Sequence, residues 1–175
     1  MECCQEMFNG PEGPIIVHLR ELVPEDADKI EMFLQNVSPQ SVYHRFLSSG
    51  CSKKWLQEEL FDYNQDCDIA IVAVLRNGKD NKEEKIIGES RYFLNNTTNE
   101  AEFAVLVQDY YQRRGVGTYM LDYLVRTARE KGIDALYACV HRGNLAMCRF
   151  LEKSGRVTKS FCSLEDDEFI FKMGL

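Results

Sequence analysis

The stretch QRRGVGT, Gln112 to Thr118, joins an apolar run ending in EFAVLV to an amphipathic run beginning TYMLDYLV. Two arginines and two glycines at such a junction suit an anion. The first amides of a helix have no intrahelical partner, and the helix dipole adds attraction for negative charge. Gly115 and Gly117 let the backbone approach an anion with no Cβ in the way, and Arg113 and Arg114 can add charge-assisted contacts. The spacing excludes two phosphate binders. A P-loop needs a lysine and a hydroxyl residue after its second glycine, where this chain has Thr118 and Tyr119. A dinucleotide fingerprint needs a third glycine where Met120 stands. What is left is a Q-x-x-G-x-G element, which by itself reads equally as a glycine-rich turn with solvated arginines.

Other chemistry-bearing residues are sparser. Cys139 and His141 lie two apart on a predicted strand and share a face, as a Cys/His nucleophile would require. No third group to orient the histidine is evident, and a buried cysteine is the commoner reading. The seven cysteines are odd in number and include neither a CxxC pair nor a Cys/His ligand spacing, so no metal site is expected. The acid run EDDE (165–168) reads as a solvated turn. A formal charge of −7 disfavours a nucleic-acid binder and is compatible with a cationic substrate. No apolar run approaches the roughly 20 residues that cross a bilayer. The N-terminal MECCQEMFNGPEGP lacks the basic and apolar regions of a signal peptide, so a cytoplasmic protein with no membrane partner is expected.

The elements that must position these residues follow from periodicity. A length of 175 residues with 45% apolar content suits one domain with a substantial core. Residues 1–14, punctuated by Gly10, Pro11, Gly13 and Pro14, read as a flexible N-terminal arm, and 15–175 as the domain. IIVHLREL reads as a first strand. Pro24, Glu25 and Asp26 open a helix with Ala27, Ile30, Phe33 and Leu34 as its buried stripe. Ser38-Pro39 starts a second helix around QSVYHRF, and Ser52 caps a third that carries Trp55, Leu56 and Leu60. Three strands follow, at 67–75, 84–94 and 99–107, joined by RNGKDNKEE and NNTTN. Next come a helix over about 116–131, the strand ALYACV, a helix over 144–153, a strand near 156–162 and a last strand FIFKMG. The pattern predicts an α+β domain, a meander feeding a βαβ-like half.

In this setting QRRGVG, preceded by AEFAVLV and followed by an amphipathic helix, resembles the acyl-CoA-binding motif of the GNAT superfamily of N-acetyltransferases. A second block, NLAMCRFLEKSG, with Asn144 opening a helix and Gly155 ending it, fits the same family, as does the order of elements from residue 15 to 175. SVYHRF (41–46) and AEFAVLV (101–107) are similar to segments of bacterial Pat-type protein lysine acetyltransferases. The resemblance implies a central mixed, mostly antiparallel sheet of about seven strands flanked by helices, with acetyl-CoA as co-substrate and no metal. It implies that the CoA pyrophosphate lies on backbone groups of Arg113, Arg114, Gly115, Val116, Gly117 and Thr118, with Gln112 beginning the motif. Pantetheine would pair with Leu106 and Val107 like an added strand, at a splay in the sheet, and one N–H there would polarise the thioester carbonyl. Asn144 would bond the pantetheine, or serve simply as a helix N-cap.

Direct transfer to an amine needs a base, because an alkylammonium with a pKa near about 10.4 is not nucleophilic. Pat-like enzymes place a glutamate at the position of Glu102, which makes it the implied base, with Glu89 and Glu100 in reserve. On residues alone, Glu102 reads as a solvated strand residue. The tyrosine that many family members use as general acid falls at Leu151, and Arg156 replaces a frequent aromatic residue. No acid is assigned, since a thiol of pKa about 8.5 departs largely as thiolate. Tyr43, His44 and Arg45 are candidates for the acceptor side. The implied acceptor is an amine, a protein lysine or else a small molecule such as a polyamine or aminoglycoside, on a monomer or weak homodimer. A non-catalytic acyl-CoA sensor is the alternative of a different class.

Overall fold

The computed structural model describes residues 4–48, 52–77, 83–161 and 167–175. Among the described residues, eight strands form one sheet: β1 (Cys4–Asn9), β2 (Pro14–Glu21), β3 (Ile69–Asn77), β4 (Glu83–Asn95), β5 (Glu100–Val107), β6 (Ala135–His141), β7 (Thr158–Phe161) and β8 (Glu168–Gly174). Five α-helices among the described residues flank it: α1 (Ala27–Gln35), α2 (Pro39–Phe46), α3 (Lys53–Phe61), α4 (Val116–Glu130) and α5 (Leu145–Ser154). The spatial order is β1-β2-β3-β4-β5-β6-β8-β7, antiparallel throughout except for the parallel pair β5–β6. This is the mixed, mostly antiparallel sheet expected. It has one strand more than expected, because residues 4–9 are not part of a loose arm. They pair with β2 from Cys4↔Leu19 to Asn9↔Pro14, closing on the Gly10 N–H to Gly13 carbonyl bond of 2.8 Å. Gly10, Pro11 and Gly13 punctuate a hairpin, whose turn chemistry is the same as that of a flexible arm.

Strand alternation divides the core into two layers. Ile69, Ile71, Ala73 and Leu75 of β3 face α4 and α5, together with Phe103, Met120, Leu121, Leu124, Leu136 and Leu151. Ala70, Val72 and Val74 face the opposite way, under Ile30, Phe33, Leu34, Leu56 and Leu60 of α1 and α3. The helix ends follow local chemistry. Ser38 and Ser52 accept from the N–H groups of Ser41 and Trp55 as N-caps, and Gly155 ends α5 in the left-handed region. No described helix is long and apolar enough to cross a membrane. The loop residues 78–82 of RNGKDNKEE, and Glu165 and Asp166 of the acid run, lie outside the described residues.

The entry to α1 is locked by charge. Asp26, with no solvent exposure, accepts two bonds from the Arg20 guanidinium (2.6 and 2.7 Å) and one from the Val23 N–H (3.2 Å), and Lys29 lies at 3.1 Å. Glu84 takes the other edge of Arg20 at 2.7 Å and also Arg76 at 3.1 Å, so β2, β3, β4 and α1 share one network. Burial alone would raise the Asp26 carboxyl pKa, but Arg20, the Val23 N–H and Lys29 outweigh it and hold the group below its ordinary value of 3.8. Asp26→Ala is expected to lower unfolding stability by about 2–4 kcal/mol, less than for a fully buried pair because Arg20 keeps Glu84. In the wild type this contribution should be present at neutral pH and vanish as pH falls through the depressed pKa. The comparison of urea midpoints at pH 7 and pH 3 checks both points.

Candidate active site

The parallel pairing of β5 with β6 covers only Glu100↔Ala135, Ala101↔Leu136 and Glu102↔Tyr137. Beyond Glu102 each strand keeps its other partner, β5 with β4 as far as Gly88↔Val107 and β6 with β8 as far as His141↔Glu168, but the two part from each other. The gap is a cleft of about 550 Å³, walled by Phe103 to Val107 on one side and Ala138 to Val140 on the other. Its mouth is lined by Gln112, Arg113, Gly115, Gly117 and Thr118, and its upper walls by His44 and Arg45 of α2 and by Asn144 to Met147. Leu106 and Val107 therefore stand in the splay, as the sequence reading required.

The turn before α4 is built to present amides. The first bond of the helix runs from the Tyr119 N–H to the Gly115 carbonyl at 3.0 Å, so the N–H groups of Val116, Gly117 and Thr118 precede any intrahelical acceptor. Arg113 (φ 59°) and Gly115 (φ 94°) both occupy the left-handed region, which curls the intervening backbone into a concave nest. The two glycines divide their work. A Cβ on Gly117 would stand 3.9 Å from Phe150 and Val107, facing the cleft, whereas one on Gly115 would meet the Phe8 ring at 3.2 Å. The two arginines also differ. Arg113 lines the cleft, while the Arg114 guanidinium is turned to the Asn9, Gly10 and Tyr110 carbonyls at 3.2, 3.3 and 3.3 Å.

Three polar ties hold this mouth open. Gln112 donates from Nε2 to the Val107 carbonyl at 2.9 Å, bridging the turn to the end of β5. Asp109 accepts from the Ser38 N–H, the Ser38 hydroxyl and the Ser41 hydroxyl at 2.8, 2.7 and 2.9 Å, fastening the start of α2 beside the cleft. These bonds hold the Asp109 carboxyl below its ordinary pKa against the opposing effect of burial. Asn144 accepts the Met147 N–H at 3.1 Å through its side-chain oxygen, the N-cap role, and its amide lines the cleft as well. Sequence reasoning missed Asp109, Ser41 and Phe8, because their partners lie 68 or more residues away in Asp109–Ser41 and across the sheet in Phe8–Gly115.

The carboxylates sort themselves by partner. Glu89 is fully buried on β4, bonded to Arg91 Nε and facing Arg45 at 3.9 Å. Glu100 is paired with Lys172 at 2.5 Å. Glu102, in the last β5–β6 rung before the strands part, is exposed to solvent and makes no hydrogen bond or ion pair among the described residues. Its packed surroundings push its carboxyl pKa up, Arg45 pulls it down and Glu168 adds to the rise. It shares a sheet face with Ala104 and Leu106, in register with Phe93 on β4 and Tyr137 on β6. The alternative nucleophile loses its base. His141 Nδ1 accepts the Gly143 N–H at 3.0 Å and Nε2 faces Asp167 at 3.6 Å, so the imidazole is oriented toward the acid turn and not as a base for Cys139. Leu151, at the position of the family's tyrosine, is fully buried in the core under α5.

A mixed sheet that parts beside an amide-rich turn opening a helix is the architecture of acyl-CoA-dependent N-acyltransferases. The sequence model of the Acetyltransferase (GNAT) family matches residues 40–155, and the chain belongs to that family. It is 28% identical over 132 residues to Acetyltransferase PA5475 of Pseudomonas aeruginosa, covering 75% of this chain and 69% of that one. It is 28% identical over 141 residues to Acetyltransferase Pat of Mycolicibacterium smegmatis, covering 80% of this chain but only 41% of the relative's length. Among solved structures, the GNAT domain of S. lividans PAT superposes with a TM-score of 0.78 at 25% identity, over 98% of this chain and 97% of that one. The PaiA N-acetyltransferase of Thermoplasma acidophilum in complex with coenzyme A shares the fold, with a TM-score of 0.67 at 17% identity over 91% of this chain and 99% of that one.

Asp109 supplies a direct check on how the mouth is held. Asp109→Ala should speed amide hydrogen exchange across residues 39–46 while leaving the central turns of α4 protected, as read by mass spectrometry of peptic fragments.

Proposed function

We propose that this chain transfers the acetyl group of acetyl-CoA to a primary amine, with a protein lysine as acceptor. The observation that carries the reading is the splay beside an unpaired carboxylate: amides gather at its mouth, unladdered strand edges form its walls, and Glu102 stands in the last paired rung next to it. A diphosphate at the Arg113 to Thr118 turn would direct a pantetheine arm inward along β5, toward Ala104 and Glu102. Strand geometry advances about 3.3 Å per residue, so the arm has the length of β5 from Val107 back to Phe103 along which to replace the missing ladder.

In this reading Glu102 takes the proton of the acceptor ammonium, directly or through water. The free amine then attacks the thioester carbon, and a β5 amide at Leu106 or Val107 stabilises the oxyanion of the tetrahedral intermediate. The intermediate expels the CoA thiolate. A base with a raised pKa is better matched to this proton than an ordinary glutamate. A lysine displayed on a protein segment is favoured over an enclosed small amine by the form of the acceptor face. Helices α1 and α3 cover the β3 and β4 part of it, whereas Tyr137, Cys139, His141, Glu168 and Ile170 of β6 and β8 are only half-buried and continue outward from Glu102.

Glu102→Gln should lower kcat by about 10²–10³-fold and leave the acetyl-CoA Kd within a factor of about two. The wild-type kcat/KM should fall on acidification through an inflection above 4.5, the ordinary glutamate value, and the variant should lose that limb. Because the folded state raises this pKa, the ionised carboxylate opposes folding above its unfolded-state pKa, so the variant's Tm at pH 7 should not drop. Unchanged turnover would remove Glu102 from the mechanism. Arg113→Ala should weaken CoA binding, more at low salt than at high, in calorimetric titrations.

A further inference from the structure

The N-terminal hairpin reaches across the molecule to the back of the amide turn. Phe8, on edge strand β1, lays its ring against Gly115, where a Cβ would stand only 3.2 Å from Cε1 and 3.3 Å from Cδ1. The same ring lies 5.6 Å from that of Tyr119 in the first turns of α4. On either side of this contact, polar bonds clamp the hairpin to the turn. Arg114 donates from Nη1 to the carbonyls of Asn9 and Gly10 and from Nε to that of Tyr110, and the Tyr110 hydroxyl meets Glu12 Oε1 at 3.3 Å. The turn so supported holds strained backbone: Arg113 takes φ 59°, a conformation that costs a non-glycine residue about 1 kcal/mol or more, one residue from a clamp and two from Gly115.

We infer that the β1 hairpin is a positioning element of the acyl-donor site, with Phe8 and Arg114 as positioning residues that hold the Arg113 to Thr118 amides convergent. The inference rests on the reading of that turn as the diphosphate site. Gly115 lacks a side chain so that Phe8 can press on the turn from behind, while Gly117 leaves the ligand side open. A nest of amides binds an anion only while its N–H vectors converge, and a left-handed arginine relaxes toward ordinary backbone unless its neighbours prevent it. Both clamps act just after Arg113: the Arg114 fork fixes the hairpin to the loop, and the ring wedge fixes Gly115.

The test compares two acyl donors, acetyl-CoA and S-acetylpantetheine, which lacks the diphosphate. Phe8→Ala should raise the CoA Kd, measured by calorimetry well below the melting temperature, by about tenfold or more, and raise the KM for acetyl-CoA equally with kcat nearly unchanged. Its kcat/KM with S-acetylpantetheine should stay within about twofold of wild type, because the lost alignment concerns only the diphosphate. Phe8→Leu, which keeps an apolar wedge, should recover most of the affinity, and Arg114→Gln should reproduce the donor-selective loss. An unchanged CoA Kd in Phe8→Ala, or equal losses with both donors, overturns the positioning role. Wild-type protein that uses the two donors equally well would instead overturn the diphosphate reading itself, a result visible before any variant is made.

Discussion

The structure depends on an interruption in its own sheet. Parallel strands β5 and β6 pair over three residues and then diverge, which leaves backbone donors and acceptors inside a protein without the ladder that normally satisfies them. Such groups are tolerated only where something else can bond them, whether solvent or a ligand that imitates a strand. The cleft is therefore a sheet position held vacant, and everything around it answers how two strands are kept apart. The β4 and β8 ladders anchor the outer edge of each arm, and α4 and α5 fill the space beneath. Gln112, by bonding the Val107 carbonyl, joins the end of β5 to the turn rather than to β6.

Charge is distributed around this gap so that some acids are paired and Glu102 is not. The acids of the frame have bonded partners: buried Asp26 has Arg20, buried Glu89 has Arg91, and Asp109 at the surface has two serines. These pairings hold elements in place, and they also remove the acids from chemistry, since a carboxylate that accepts several charge-assisted bonds is a poor proton acceptor. Glu102 stands apart because its neighbours desolvate it without bonding it, and Arg45 lies close enough to moderate the rise in pKa but not to form a pair. Environment, not residue type, distinguishes Glu102 from Glu84, Glu89 and Glu100.

The amide turn shows the same division between support and function. Two adjacent arginines look interchangeable, yet one faces the cleft and the other grips the N-terminal hairpin. Two glycines one residue apart likewise face opposite neighbours. In this turn Arg114 and Gly115 face the hairpin while Arg113 and Gly117 face the cleft, so part of it supports the rest.

Much of the molecule was legible in the chain alone, because its signals are local. The period of apolar residues set the helices and strands within about two residues, since burial of one face imposes its own repeat. The caps at Ser38, Ser52 and Asn144 were readable because a short side chain bonds an amide two or three residues on. The amide turn and the glutamate on the strand before it could be named as well, and the resemblance supplied their connection. What the chain alone left open was everything decided between distant residues. The fate of residues 4–9 turned on register with β2, for which turn residues are silent. The choice among Glu89, Glu100 and Glu102 turned on cations contributed by α2, β4 and β8, and the separate tasks of Arg113 and Arg114 on a hairpin about a hundred residues away. Local periodicity decides where a side chain points; only packing decides what waits for it there.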